Sequence, residues 1–163
     1  MDMRINTILE TLIRGEDLGR EAARGVFDAL LSGDLTDAQA GAFLGLLRAK
    51  GECAEELAAG VDAGLAHARL VDDASGRRID TCGTGGDCKN TFNCSTAVAL
   101  FLAGMGHKVA KHGNRAVSSS CGSADAVEAL GLPLGVEPGD AARELDQRGF
   151  VFLFAPHYHP AFA

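Results

Sequence analysis

Residues 78–110, "RIDTCGTGGDCKNTFNCSTAVALFLAGMGHKVA", decide the fold class. They read as a short strand around Arg78 to Cys82, a glycine turn, a helix from about Ser95 to Gly104 and a second strand around Lys108 to Ala110. Beyond them come a polar loop, KHGNRAVSSSCG, and a helix from about Ser123 to Leu130. A further helix opened by Pro138 follows, and then FVFLF, an unbroken apolar run of the kind found in parallel strands covered on both faces. Strands alternating with helices predict an α/β domain with a parallel sheet. Three strands are few for a doubly wound sheet, so the expectation is the first part of such a domain, truncated after HPAFA.

Upstream the pattern is helical throughout, in four stretches between Ile5 and about Leu70. Thr36 with Gln39 reads as a capping box opening the third helix, and Gly33 and Gly51 stand where helices stop. The polar stretch VDDASGRR marks a boundary. The expected organisation is a small N-terminal helical bundle, 1–73, followed by a partial α/β domain, 74–163.

Composition narrows the function classes. A net charge of −7, with 22 acidic against 15 basic residues, argues against nucleic-acid binding through phosphate contacts. No apolar run is long enough to span a bilayer, and MDMRINTILETLIRG lacks a signal peptide's cleavage site, so a cytoplasmic protein with no membrane partner is expected. Five cysteines without a C-x-x-C pair suggest reduced thiols rather than a disulfide framework or zinc site. His157 and His159 have H-x-H spacing, but before Pro160 they read as closing a turn at a strand edge rather than as metal ligands.

Chemistry concentrates in two loops. The segment with Gly83, Gly85 and Gly86 matches neither a P-loop, for want of Gly-Lys-Ser/Thr, nor a dinucleotide fingerprint, because Cys88 stands where a glycine is needed. What remains is a strand, a glycine turn and a helix opening on Ser95-Thr96, an arrangement whose free N–H groups and hydroxyls suit a phosphate or pyrophosphate. A plain strand-to-helix turn capped by Asn93 or Ser95 is the alternative. The second loop follows the next strand, which places it at the same sheet edge. There Lys108, Lys111, His112 and Arg115 gather positive charge, and Asn114 offers both a donor and an acceptor.

GTGGD, TFNCST, VAKHGNRAVSS, GSADAVEALG and the closing HPA resemble, in order and spacing, the anthranilate phosphoribosyltransferase family, a branch of the class that also holds nucleoside phosphorylases. Those phosphorylases carry a different glycine segment and lack KHGNR. The resemblance implies transfer of phosphoribose from phosphoribosyl pyrophosphate to anthranilate, releasing pyrophosphate, with magnesium as cofactor. By resemblance, Gly83, Gly86, Asp87, Thr91, Asn93, Ser95, Thr96, Lys111, Ser119 and Ser123 hold phosphoribosyl pyrophosphate. Gly83 and Asn114 contact anthranilate, and Ser95 also touches magnesium.

The resemblance further implies a homodimer through the helical domain, and names no residue as general acid or base. Two departures stand out. Ser120 occupies a position where the family usually has lysine, and the Asp-Glu pair that completes the family's magnesium site has no counterpart after Asp87. A non-catalytic module that binds phosphoribosyl pyrophosphate or dimerises is therefore the competing expectation, and a relative of the nucleoside phosphorylases is a third, weaker one.

Overall fold

The structure is a computed structural model that describes residues 5–71, 76–83, 92–116 and 121–162. The chain divides into two compact units, one ending at Ala68 and one running from Arg69 to Ala161. Each has its own core.

The first unit consists of α1 (Ile5–Ile13), α2 (Arg20–Leu31), α3 (Asp37–Lys50) and α4 (Ala54–Ala66). Ile8 and Leu12, Ala23 and Val26, Phe43 and Leu47, and Ala59 recur at three- or four-residue spacing and meet in one apolar cluster. Ala23, Val26, Ala59 and Ala63 are wholly buried, and the Phe27 ring lies against Gly60, so small residues let α2 and α4 pack closely. The expected capping box is present. Gln39 N–H donates to Thr36 Oγ1 at 3.3 Å, and Thr36 N–H donates to Gln39 Oε1 at 3.0 Å. Gly33 and Gly51 end their helices with φ of 74° and 88°.

One feature of this unit has no signal in the apolar pattern. Glu56, on α4, is 1% exposed and accepts from the N–H groups of Leu18 and Cys53 and from Lys50 Nζ, each at 2.9 Å. Lys50 Nζ also donates to Asp17 at 2.6 Å. Burial alone would push the Glu56 carboxyl up, but the two N–H groups and the ammonium outweigh it and hold it below its ordinary value.

The second unit is α/β. Two parallel strands, β1 (Val109–Gly113) and β2 (Phe150–Phe154), pair with Val109 opposite Phe150 and Gly113 opposite Phe154. The predicted first strand shrinks to a single parallel bridge between Ile79 and Val109. Ile79 N–H donates to Lys108 O and Ala110 N–H to Ile79 O, both at 3.0 Å. Helices α5 (Cys94–Gly104) and α6 (Ser123–Ala129) precede and follow β1, and α7 (Pro138–Arg148) leads into β2. Phe150 and Phe152 enter one core with Ala99, Ala124 and Val127, while Val151 enters another with Ala141 and Leu145. Side chains alternate across a strand, so covering both faces requires an apolar residue at every position, which is why FVFLF has no polar interruption.

His157 departs from the expected turn at a strand edge, because Ala155–Tyr158 form a four-residue helix, α8, directly after β2. The His159 ring packs edge-to-face on His112 at 5.2 Å. Among the described residues, the one group of three potential metal ligands is Asp17, Cys53 and Glu56, and the Lys50 ammonium already bonds both of its carboxylates. No described helix is long and apolar enough to cross a membrane.

Candidate functional site

The site lies where the parallel strands end. Lys111, in β1, is 1% exposed, and its Nζ lies 3.3 Å from Ser95 Oγ and 3.5 Å from Thr81 O. Thr81 Oγ1 in turn donates to Ser95 O at 2.7 Å, tying the segment after the Ile79 bridge to the first turn of α5. Among the described residues no carboxylate pairs with this ammonium. Burial therefore dominates and lowers the Lys111 pKa, with partial opposition from Cys82 and Asp80.

Asn93 is the residue before α5, but its side chain does not cap the helix. Asn93 Nδ2 instead donates to Gly122 O at 3.1 Å and reaches Cys121 Sγ at 3.5 Å, so the capping alternative fails in favour of a cross-link between the two loops. Thr96, one turn in, is 3% exposed and its Oγ1 has no hydrogen-bond partner among the described residues. A buried hydroxyl left unsatisfied costs about 1–3 kcal/mol.

The second loop begins at the end of β1 and returns at α6. Ser123 Oγ donates to Asn114 O at 3.2 Å, and Ala124 N–H donates to the same carbonyl at 3.1 Å. Both glycines flanking this contact are required by close approach. A Cβ on Gly113 would stand 2.2 Å from Ser123 Oγ, and one on Gly122 would stand 2.2 Å from Ala116 N. Asn114 Oδ1 accepts from Arg115 N–H at 2.8 Å, which leaves its amide NH2 without a partner among the described residues.

The expected basic cluster is largely neutralised. Lys108 pairs with Asp146, and Arg115 bonds Asp125 at 2.8 Å and Glu128 at 2.9 Å while its guanidinium lies 5.9 Å over the Phe154 ring. Burial, and then His159, lower the His112 pKa. The reason is helical return: α6 and α7 bring their acidic residues back to the loop and strand that carry the cations. Of Lys108, Lys111 and Arg115, only Lys111 has no carboxylate partner among the described residues. Sequence reasoning gave no role to Thr81, and none to Asp125 beyond its place in the polar run Gly122 to Asp125, although an acidic residue three positions after Gly122 is a recognisable helix-start signal.

Gly83, Asn93, Ser95, Thr96, Lys111, Asn114 and Ser123 thus fall on the two loops and the elements beside them. Gly86, Asp87, Thr91 and Ser119 lie outside the described residues. For magnesium the described donor set is thin. Ser95 contributes one hydroxyl next to a lysine ammonium, whereas a hard divalent cation takes about six oxygens. These residues do not by themselves hold the ion.

Comparison with known proteins agrees with both units. Residues 6–68 match the helical bundle domain of a glycosyl transferase family, and residues 75–163 match that family's a/b domain. An anthranilate phosphoribosyltransferase of Nitratidesulfovibrio vulgaris is 57% identical over 99% of this chain, and one of Oleidesulfovibrio alaskensis is 59% identical over 98%. The chain spans 48% of each relative, about half its length.

Among solved structures, the anthranilate phosphoribosyltransferase of Thermus thermophilus superposes with a TM-score of 0.85 at 41% identity, over 95% of this chain and 47% of that one. The Saccharomyces cerevisiae enzyme in complex with PRPP and Mg gives 0.86 at 29% identity, over 99% and 49%. A helical bundle followed by a parallel α/β unit, each matching its own model in order, places the chain in the glycosyl transferase family, in the company of the anthranilate phosphoribosyltransferases.

Proposed function

We propose that this chain carries the phosphoribosyl pyrophosphate half of an anthranilate phosphoribosyltransferase, which joins phosphoribose to anthranilate as N-(5-phosphoribosyl)anthranilate and releases pyrophosphate. The observation that carries the reading is Lys111, a buried ammonium that, among the described residues, meets only the Thr81 carbonyl and the Ser95 hydroxyl in the first turn of α5. A buried cation without a counter-charge is costly, and an anion held there would relieve it. The N-terminus of α5 adds free N–H groups and a partial positive charge.

In this reading Gly83, Gly86, Asp87, Thr91, Asn93, Ser95, Thr96, Lys111, Ser119 and Ser123 hold phosphoribosyl pyrophosphate, and Gly83 and Asn114 receive anthranilate. Breaking the bond to pyrophosphate leaves negative charge on the leaving group, so a fixed ammonium and N–H donors stabilise the transition state. Anthranilate's amine is neutral and needs chiefly to be positioned, a task suited to the Asn114 amide. Magnesium, present with PRPP in the yeast relative, would neutralise the pyrophosphate, with Ser95 as its contact on this chain. A second copy would dock on the helical unit, where Leu57, Val61 and Leu65 form an exposed stripe on α4. The cytoplasm is the proposed compartment.

The thin magnesium donor set among the described residues favours a second reading, a module that binds phosphoribosyl pyrophosphate without turnover. One experiment separates the two. Titration calorimetry with phosphoribosyl pyrophosphate and magnesium is expected to show one site per chain, and absence of binding by folded protein would sink both readings. Loss of anthranilate fluorescence in the same mixture would support transfer; binding without that loss would support the module.

A further inference from the structure

Backbone segments 114–116 and 121–123 touch so closely that Gly122 has no room for a side chain, and one carboxylate joins them. Asp125 Oδ2 accepts from Gly122 N–H at 2.8 Å and from Ala116 N–H at 3.2 Å, while Oδ1 accepts from Arg115 at 2.8 Å. Glu128, one turn further along α6, takes the rest of the same guanidinium, at 2.9 and 3.1 Å. Gly122 also faces the other way, since its carbonyl accepts from Asn93 Nδ2. The chain of contacts therefore runs from Asp125 through Gly122 to Asn93, and from Asp125 through Arg115 to the Asn114 side chain.

We infer that Asp125 is a positioning residue: its carboxylate sets the Gly122 carbonyl and the Arg115 backbone, and through them holds Asn93 and Asn114 in the places from which they meet ligand. This rests on the phosphoribosyl pyrophosphate reading of the site. Arg115, its charge taken by Asp125 and Glu128, orders the loop rather than contacting phosphate. Bonds from Gly122, then Arg115, then Ala116 hold the Asp125 carboxyl below its ordinary value, in keeping with a permanently ionised anchor.

The test uses Asp125→Asn, which turns an NH2 donor toward groups that already donate, and Glu128→Gln, which loosens only the outer contact of Arg115. By calorimetry with phosphoribosyl pyrophosphate and magnesium, Asp125→Asn is expected to raise Kd about tenfold or more with one site per chain retained, and Glu128→Gln about twofold. The Asn93 side-chain NH2 resonance, followed by NMR, is expected to shift in Asp125→Asn. A purely structural role predicts instead fewer competent sites at unchanged Kd, and that result overturns the inference.

If the unmodified chain binds no phosphoribosyl pyrophosphate, the substrate reading fails and the Asn93 resonance decides alone. A shift in Asp125→Asn sustains the positioning role, and an unmoved resonance overturns it. Should Asp125→Asn not fold, Asp125→Ala replaces it with the same two readouts, and an unchanged Kd or resonance in that variant counts equally against the inference.

Discussion

Lys50 in the helical unit and Lys111 in the α/β unit both carry an ammonium into the interior, and the fold treats them in opposite ways. Lys50, its side chain 5% exposed, bonds Asp17 and Glu56, and hydrogen bonds to these two carboxylates raise its pKa above the ordinary value. Lys111, 1% exposed, has a hydroxyl and a carbonyl, and burial lowers its pKa. A buried charge that is fully paired locks a structure in place, whereas one left short of a counter-charge is a reserve of binding free energy for an anion. The contrast separates a lysine locked into the architecture from the one that the proposed function assigns to an anion.

The largest expected effect is on the architectural side. Glu56→Ala removes the shared acceptor of two backbone N–H groups and an ammonium, and is expected to destabilise the chain by about 3 kcal/mol in urea unfolding. A loss within the scatter of surface substitutions would break the comparison at that end.

Next comes Lys111→Met, which keeps the length and apolar stem while deleting the charge. It is expected to weaken phosphoribosyl pyrophosphate binding about a hundredfold and yet to stabilise the free chain by about 1–2 kcal/mol. Calorimetry and urea unfolding on one sample check both, and destabilisation would show Lys111 to be satisfied where it stands. Lys50→Met is expected to change stability in the opposite direction, because it leaves Asp17 and Glu56 without their cation.

The smallest effect is pH-dependent, and the two lysines differ in sign. Lys50, raised in the folded state, stabilises fully below its ordinary value of 10.5 and loses that contribution as pH rises through its folded pKa. Lys111, lowered in the folded state, destabilises at pH values below its folded pKa and is relieved as pH rises toward 10.5. Glu56, lowered in the folded state, stabilises above 4.5 and loses that contribution as pH falls through its folded pKa. Unfolding free energies taken from about pH 4 to 11 should therefore show the stabilising effect of Lys111→Met shrinking near the alkaline end, where the destabilising effect of Lys50→Met also fades. Parallel pH curves for the two variants would remove the distinction between them.

Local signals were enough for much of the fold. The four N-terminal helices, the Thr36–Gln39 box, the stops at Gly33 and Gly51, the Pro138 helix start and the FVFLF strand all rest on periodicity, capping and backbone restrictions that act within a few residues. The first strand was legible as a strand, but its reduction to one bridge depends on where β1 lies, which is a long-range matter. At the site, the sequence pointed to both loops and to most of their polar residues. It overstated the positive charge, because the carboxylates that cancel Arg115 and Lys108 arrive from helices 10 to 38 residues away.

By itself, then, the sequence determined the order of elements, the two-unit plan and the family, since these follow from nearest-neighbour patterning and motif spacing. Only the tertiary structure decided that Asn93 reaches across to Gly122 rather than capping its helix, that Asp125 binds two backbone segments together, and that Arg115 is paired with carboxylates while Lys111, among the described residues, is not. Each of those outcomes depends on which groups meet in space after burial has removed water as a competing partner, and pairing of that kind has no period along a chain.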